Sequence, residues 1–298
     1  MSKYYYIRLL PCLLALVLLI PVAGCDEADP GWVQWGTDEA VKLIDEDGDA
    51  FGVKNIDNKL RTSSMPYTYD IAEGNVPNHY PVRRFGHNED VGLPWETVYE
   101  LSDLYTYLTA AEQWKIRSSS LSDNATSTGA RTLYLEGVDG AYNRVSETIS
   151  MNGTAYVTTA NSYLRMFESW VVDVGAIGAN AGNIEYWNNA EAHQLDEMPL
   201  GEGQLHTAIF TVPNATTVFY LTDMHMAEST NKGMIFGLWM RKFDESWRLV
   251  RIYELVNGIV TIDNNFPLNL EARTDIELRV MGNAAGGTCT GGFNGWYE

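Results

Sequence analysis

From about residue 130 to the end, short runs rich in β-branched and aromatic residues recur, each closed by Gly, Asn, Asp or Pro, and this limits the chain more than any other feature. Residues 132–136 alternate in polarity, Asp139-Gly140 follows as a turn, and 146–151 alternate again up to Asn152-Gly153. Asp-Gly and Asn-Gly between alternating runs are strong hairpin signals, because both turn positions need φ values that Gly and Asn adopt at low cost. Residues 163–174 read as one long strand. Further strands are expected at 206–212, 216–226, 233–243, 247–255, 258–262, 274–281 and 292–297. Helices need a period of 3.6 residues, and these runs have a period of two. The chain is therefore expected to be all-β, with two β-sandwich or jelly-roll-like domains in tandem over 70–190 and 191–298.

Upstream of these runs the signals weaken. Between residues 69 and 93, Pro77, Pro81, Asn75, Asn78 and Asn88 point to irregular or edge segments. Residues 95–116 are ambiguous: Leu101, Leu104, Tyr105 and Leu108 have helical spacing, whereas Thr97-Val98-Tyr99 and Trp114-Lys115-Ile116 favour strands, and the reading leans to strands. Residues 25–69 are polar and turn-rich and are expected to be a tether with little regular structure.

At the N-terminus, Lys3 and Arg8 precede an uncharged apolar run over 9–22, then Val22-Ala23-Gly24-Cys25 and Asp26-Glu27. A basic start, a short apolar stretch and small residues before a cleavage point form a secretory signal over 1–24, and the run is short for a membrane span. Small residues directly before a cysteine resemble the lipobox of bacterial lipoproteins. That resemblance implies lipidation of Cys25 and an exported, membrane-anchored protein of the cell envelope, with the virion as the alternative location. Cys12 leaves with the signal and Cys25 carries the lipid, so Cys289 remains as a small buried thiol with no disulfide partner. The formal net charge is −19, and loss of Lys3 and Arg8 makes the mature chain about −21. Such a chain repels nucleic acid and anionic lipid, so its membrane contact is expected through the lipid anchor alone.

No catalytic constellation stands out. Asp45, Asp47 and Asp49 alternate as calcium ligands do, but Ala50 stands where an EF-hand loop turns on Gly, and Ile56 stands where its bidentate Glu belongs. His79, His87, His193, His206 and His225 show no paired metal-ligand spacing, and no serine sits in a G-x-S-x-G elbow. No metal, cofactor or catalytic residue is expected. Paired carboxylates of a glycan-cleaving enzyme are the remote alternative, because the acids are abundant and dispersed. Tryptophans and tyrosines are plentiful and mostly suit sandwich cores. Trp187 and Tyr186, in the polar stretch Glu185-Tyr186-Trp187-Asn188-Asn189, are the candidate ligand-binding aromatics, with Trp187 expected in an exposed loop between the domains.

The segment 118–165 resembles a family of uncharacterised structural proteins of tailed phages, mostly aquatic. The resemblance rests on Ser118-Ser119-Ser120-Leu121-Ser122-Asp123, Gly129-Ala130-Arg131-Thr132, Leu135-Glu136-Gly137-Val138-Asp139, Ser146-Glu147-Thr148, Asn152-Gly153-Thr154 and Asn161-Ser162-Tyr163-Leu164-Arg165. It extends to Asn180-Ala181-Gly182-Asn183-Ile184, Gly201-Glu202-Gly203-Gln204 and Thr274-Asp275-Ile276-Glu277-Leu278-Arg279. It implies a virion structural, decoration or fibre role with self-association. The lipobox departs from that pattern and points to a host surface lipoprotein of phage ancestry or to a phage-encoded membrane lipoprotein. The expected function is a non-enzymatic structural or binding protein displayed through the lipid. The alternative is a surface lipoprotein whose partner is a protein or glycan held by exposed aromatics.

Overall fold

The computed structural model describes residues 67–298 except 215–217, without the side chains of 67, 265 and 266, and before them the backbone of four short strands. Those pair as β1 (Tyr5–Ile7) with β2 (Leu18–Ile20), and β3 (Val41–Ile44) with β4 (Ala50–Val53). The β3–β4 hairpin lies inside the 25–69 stretch, where little regular structure is expected. Cys25 and the run from Asp45 to Asp49 lie outside the described residues.

Tyr67–Glu298 is one compact unit. It opens with α1 (Tyr67–Ala72) and continues with β5 (Tyr80–Val91), β6 (Glu96–Thr97), β7 (Lys115–Ser118), β8 (Ala130–Val138), β9 (Arg144–Ser150), β10 (Val157–Thr158), β11 (Arg165–Val174), β12 (Ile184–Trp187) and β13 (Gln194–Met198). The remaining strands are β14 (Ile209–Thr211), β15 (Val218–Glu228), β16 (Met234–Arg241), β17 (Arg248–Leu255), β18 (Gly258–Glu271), β19 (Asp275–Gly282) and β20 (Gly287–Tyr297). The fold is an all-β sandwich architecture of antiparallel sheets.

Two pairs of sheets enclose two cores. The sheet β18-β15-β20-β5 faces β14-β19-β16-β17, with β6 also on β19, and Phe219, Met224, Phe236, Leu238, Leu278 and Phe293 fill the space between them. The sheet β10-β7-β12-β13 faces β11-β8-β9 across Trp114, Ile116, Leu133, Leu135, Tyr163 and Tyr186. Each side chain of this kind contributes roughly 1.5–3 kcal/mol when fully buried, which is why the alternating runs fold against one another. Sheet membership does not follow a division of the chain at 190/191. β5 pairs along its length with the last strand, β20, and the second sandwich runs from β7 to β13 as an excursion between β6 and β14.

Local sequence explains much of this. β15 buries Phe219 and Leu221, then Met224, Met226 and Glu228, a one-residue change of phase that the register shift between Leu221 and Asp223 absorbs as a β-bulge. Pro81 is tolerated in β5 because β5 is an edge strand. Asp139-Gly140 does close the β8–β9 hairpin, but the left-handed residue in that turn is Tyr142, at φ 65°. Gly153 does take φ 61°, yet Asn152-Gly153 carries the chain from β9 to the opposite sheet and is no hairpin.

Between β6 and β7 the chain is neither helix nor a long strand. Residues 98–114 run as an irregular strap, apart from one isolated bridge, over the outer face of β19 and β16. The outward Asp275, Glu277 and Arg279 of β19 are therefore buried, although their alternation with Ile276, Leu278 and Val280 looks like a half-exposed strand. Buried charge is tolerable only when it is paired or fully hydrogen-bonded. Asp275 meets Arg241 (Nε at 3.0 Å) and Arg165 (3.7 Å), and Glu277 meets Arg279 at 2.9 Å and the Thr97 hydroxyl. The guanidinium groups stack on the strap's aromatics and their neighbours, Arg165 and Arg241 on Tyr107 (4.5 and 4.9 Å) and Arg279 on Trp239 and Trp247 (both 4.7 Å).

Candidate functional site

The two aromatics singled out in the sequence separate in space. Tyr186 points into the second core, is fully buried, and donates its hydroxyl to Ser169 Oγ at 2.7 Å, so it presents nothing to a ligand. Trp187 is the last residue of β12 and not part of an interdomain loop, because the strand alternation continues one residue further than the polar neighbours suggest. It is half-buried on the outer face of its sheet. Its Nε1 donates to Glu185 at 2.9 Å, Tyr156 meets it edge-on at 6.4 Å, and the Arg117 guanidinium lies 5.5 Å from its ring and 4.8 Å from that of Tyr156. β7 and β12 pair with Arg117 opposite Glu185 and Lys115 opposite Trp187, which assembles this platform of two rings and a cation. Its chemistry suits stacking on a sugar ring.

Five of the segments that carry the phage-family resemblance, 118–123, 129–132, 152–154, 180–184 and 201–204, meet around one buried carboxylate. Asp123 is fully buried, and its Oδ1 accepts the backbone N–H of Ala130 and of Ala181, both at 2.7 Å. Its Oδ2 accepts Ser118 Oγ at 2.6 Å and the Gly182 N–H at 3.0 Å, and its main-chain carbonyl accepts the Gly153 N–H at 2.6 Å. A Cβ on Gly129 would lie 2.1 Å from Asp123 Oδ1, which makes glycine necessary there. Nearby, Asn180 Nδ2 donates to the carbonyls of Gly182 (2.9 Å) and Pro199 (2.7 Å), and its Oδ1 accepts the Gly203 N–H at 2.9 Å. The Ser-Asp, Gly-Ala, Asn-Gly, Asn-Ala-Gly and Gly-Glu-Gly segments thus form a single polar knot that holds the second sandwich together.

A second cluster has no counterpart in sequence spacing. Gly86 allows β5 to touch the strap, since a Cβ there would sit 1.9 Å from the Val98 carbonyl oxygen. The Val98 N–H donates to Leu278 at 3.0 Å, and the Ala208 N–H to Val98 at 3.1 Å. These bonds draw residues 98–100 and 202–208 beside β5. His87 Nδ1 then lies 3.1 Å from Glu100 Oε1, and His206 Nδ1 lies 2.8 Å from Glu202 Oε2. Donor atoms of His87, Glu100 and Glu202 fall within 4.8 Å of one another. Burial pushes the Glu100 carboxyl up to about 7 against the pull of His87, with Glu202 and Glu89 adding to the rise. Burial likewise pushes the neighbouring Asp196 up to about 7, despite its bonds to Thr207 Oγ1 (2.7 Å) and the Glu197 N–H (2.9 Å).

Beside this cluster, a cleft of about 140 Å³ opens between β5, His225 of β15 and the 204–207 segment. Phe85 forms its wall, edge-on to His206 at 5.3 Å and stacked with His225 at 6.1 Å. Burial lowers the His225 pKa. Cys289 is buried, and burial pushes its thiol up, which leaves it unreactive. Among the described residues no helix is long and apolar enough to cross a membrane.

No family model matches the chain, and no curated protein matches it. Among solved structures, the infectious bursal disease virus Gx strain aligns with 78% of this chain and 75% of its own, at 10% identity and TM-score 0.19. The infectious bursal disease virus VP2 subviral particle covers 78% and 77% at 12% identity and TM-score 0.17. TM-scores of this size fall below those of chains that share a fold.

Proposed function

We propose that this chain is a non-enzymatic structural or binding protein built on a scaffold like that of tailed-phage structural proteins, and that it is displayed on the cell envelope through a lipid on Cys25. The observation that carries this reading is the knot around Asp123. The resembling residues around Asp123 are spent on backbone bonds and close packing, which supports a likeness of scaffold.

Self-association fits the edges of the larger sandwich. β17 and β18 end their respective sheets, and Leu249, Ile252, Val256 and Ile259 stand exposed along and between them, Ile259 at 81%. Unpaired strand edges with apolar side chains are surfaces that pair with another chain. The test compares the mass in solution of the wild type with that of an Ile252→Lys, Ile259→Lys double variant, alongside a glycan panel assayed for hydrolysis. Assembly of the wild type alone and no sugar release supports the proposal. A monomeric wild type or released sugar contradicts it.

The Trp187–Tyr156–Arg117 platform favours a second reading, a surface lipoprotein that binds glycan. In that case Trp187→Ala abolishes retention on a glycan array and leaves the mass in solution unchanged.

A further inference from the structure

The His87–Glu100–Glu202 cluster lies where three parts of the chain meet: β5, the strap after β6, and the segment that returns from the second sandwich to β14. Glu100 is largely buried, with a side-chain exposure of 8%, and among the described residues its ion-pair partner is His87. Glu202 pairs in the same way with His206. Neither carboxylate has a Lys or Arg within ion-pair distance among the described residues, although both lie in a chain with a large excess of acid. The equally buried Glu136, Asp275 and Glu277 each have an Arg beside them, whereas the buried Glu96, Asp123, Asp196 and Glu228 are held by hydrogen bonds. Two carboxylates converging without such a cation repel one another unless one of them holds a proton or a positive charge sits between them.

We propose that His87, Glu100 and Glu202 form a zinc site that clasps both crossing segments to β5, with His206 holding the Glu202 carboxylate from outside. Zinc takes imidazole nitrogen and carboxylate oxygen at about 2.0–2.2 Å, so its tetrahedral ligands stand about 3.4 Å apart. His87 Nδ1 and Glu100 Oε1 are already 3.1 Å apart, and all three donors lie within 4.8 Å of one another, a spacing that small side-chain rotations close. Calcium is the wrong ion, because it takes six to eight oxygens and this set includes an imidazole. The close contact of His206 Nδ1 with Glu202 Oε2, at 2.8 Å, is the outer contact that orients a ligating carboxylate. Three protein ligands leave one position for water. The role inferred is structural, a tie between the two sandwiches at the point where the chain passes from one to the other.

The test is titration of the full chain with Zn²⁺ and, separately, Ca²⁺, followed by calorimetry and thermal unfolding, with Cys12 and Cys25 replaced by Ser throughout so that leader thiols do not compete. The wild type binds one equivalent of zinc, its Tm rises with zinc, and calcium does neither. His87→Gln and Glu202→Gln each weaken zinc binding at least about tenfold, and His206→Gln weakens it by about tenfold as an outer-shell loss. Glu202 is partly exposed, so its variant keeps the metal-free Tm. Should His87→Gln fail to fold by circular dichroism, Glu202→Gln and His206→Gln decide the question. Unchanged zinc affinity in those two variants, no binding at micromolar zinc, or calcium binding as tight as zinc overturns the proposal.

Discussion

Replacing Asp123 with Asn keeps the shape of the side chain and turns one carboxylate oxygen into an amide. Both oxygens are occupied by donors: Ala130 and Ala181 N–H on Oδ1, Ser118 Oγ and Gly182 N–H on Oδ2. With the amide in the Oδ2 position the Ser118 hydroxyl turns to accept, but the Gly182 N–H then faces an N–H and loses its partner. With the amide in the Oδ1 position two backbone donors lose theirs, so the first arrangement prevails. A buried donor left unsatisfied costs about 1–3 kcal/mol, and the two bonds retained on Oδ1 lose their charge assistance, giving a total of about 3 kcal/mol. With a urea m-value of about 3 kcal/mol/M the midpoint of tryptophan-monitored unfolding falls by about 1 M, with m unchanged. Asp139→Asn is the control. Asp139 also accepts two backbone N–H groups at 2.8 Å, but in an exposed turn where water replaces them. If Asp123→Asn shifts the midpoint no further than Asp139→Asn does, the knot is not what holds the second sandwich.

The buried Asp196 predicts a pH dependence. Its folded pKa of about 7 lies above its unfolded value near 3.8, so the native state holds a proton that the unfolded state has lost, and stability falls as pH rises through that window by at most about 4 kcal/mol. Asp196→Asn can keep both bonds of the side chain, so it flattens the stability profile between pH 4 and 8 and is the more stable protein at pH 8; parallel profiles for the two proteins would refute this. Gly153→Val destabilises by roughly 1 kcal/mol or more, because its φ of 61° resists a β-branched side chain, whereas Gly140→Val, in a turn whose left-handed residue is Tyr142, changes the urea midpoint far less; equal shifts contradict the turn geometry. Wild type expressed in a bacterium incorporates labelled fatty acid and partitions into detergent, and Cys25→Ser does neither; equal labelling removes the anchor.

The all-β architecture and most strand positions are legible in the sequence, since period-two runs and turn residues are local signals. β8, β9, β11, β16, β17 and β19 fall where the alternation places them. What escapes is non-local. Nothing near 80–91 says that this strand pairs with the last one, so its neighbouring Pro and Asn residues make it read as irregular, although Pro81 marks an edge. The strap over 98–114 has mixed spacing because it is shaped by the Arg–aromatic contacts beneath it and not by its own propensity. In β19, Asp275, Glu277 and Arg279 look like a solvated face until the strap covers them. Tyr186 and Trp187 share one polar neighbourhood, but strand alternation sends one inward and the other outward. His87, Glu100 and Glu202 come from three separate segments, and only the close approach at Gly86 brings them together.

Light scattering on the Cys25→Ser chain across a salt series tests whether this acidic β-sandwich protein works by assembling, as proposed, and not by catalysis. A formal charge of −19 makes copies repel at low ionic strength, and the Debye length falls to about 10 Å at 0.1 M, which screens the repulsion and leaves apolar burial at the β17 and β18 edges intact. The account predicts a mass that rises with salt to defined multiples of the monomer, and a chain that remains monomeric at every salt concentration contradicts it.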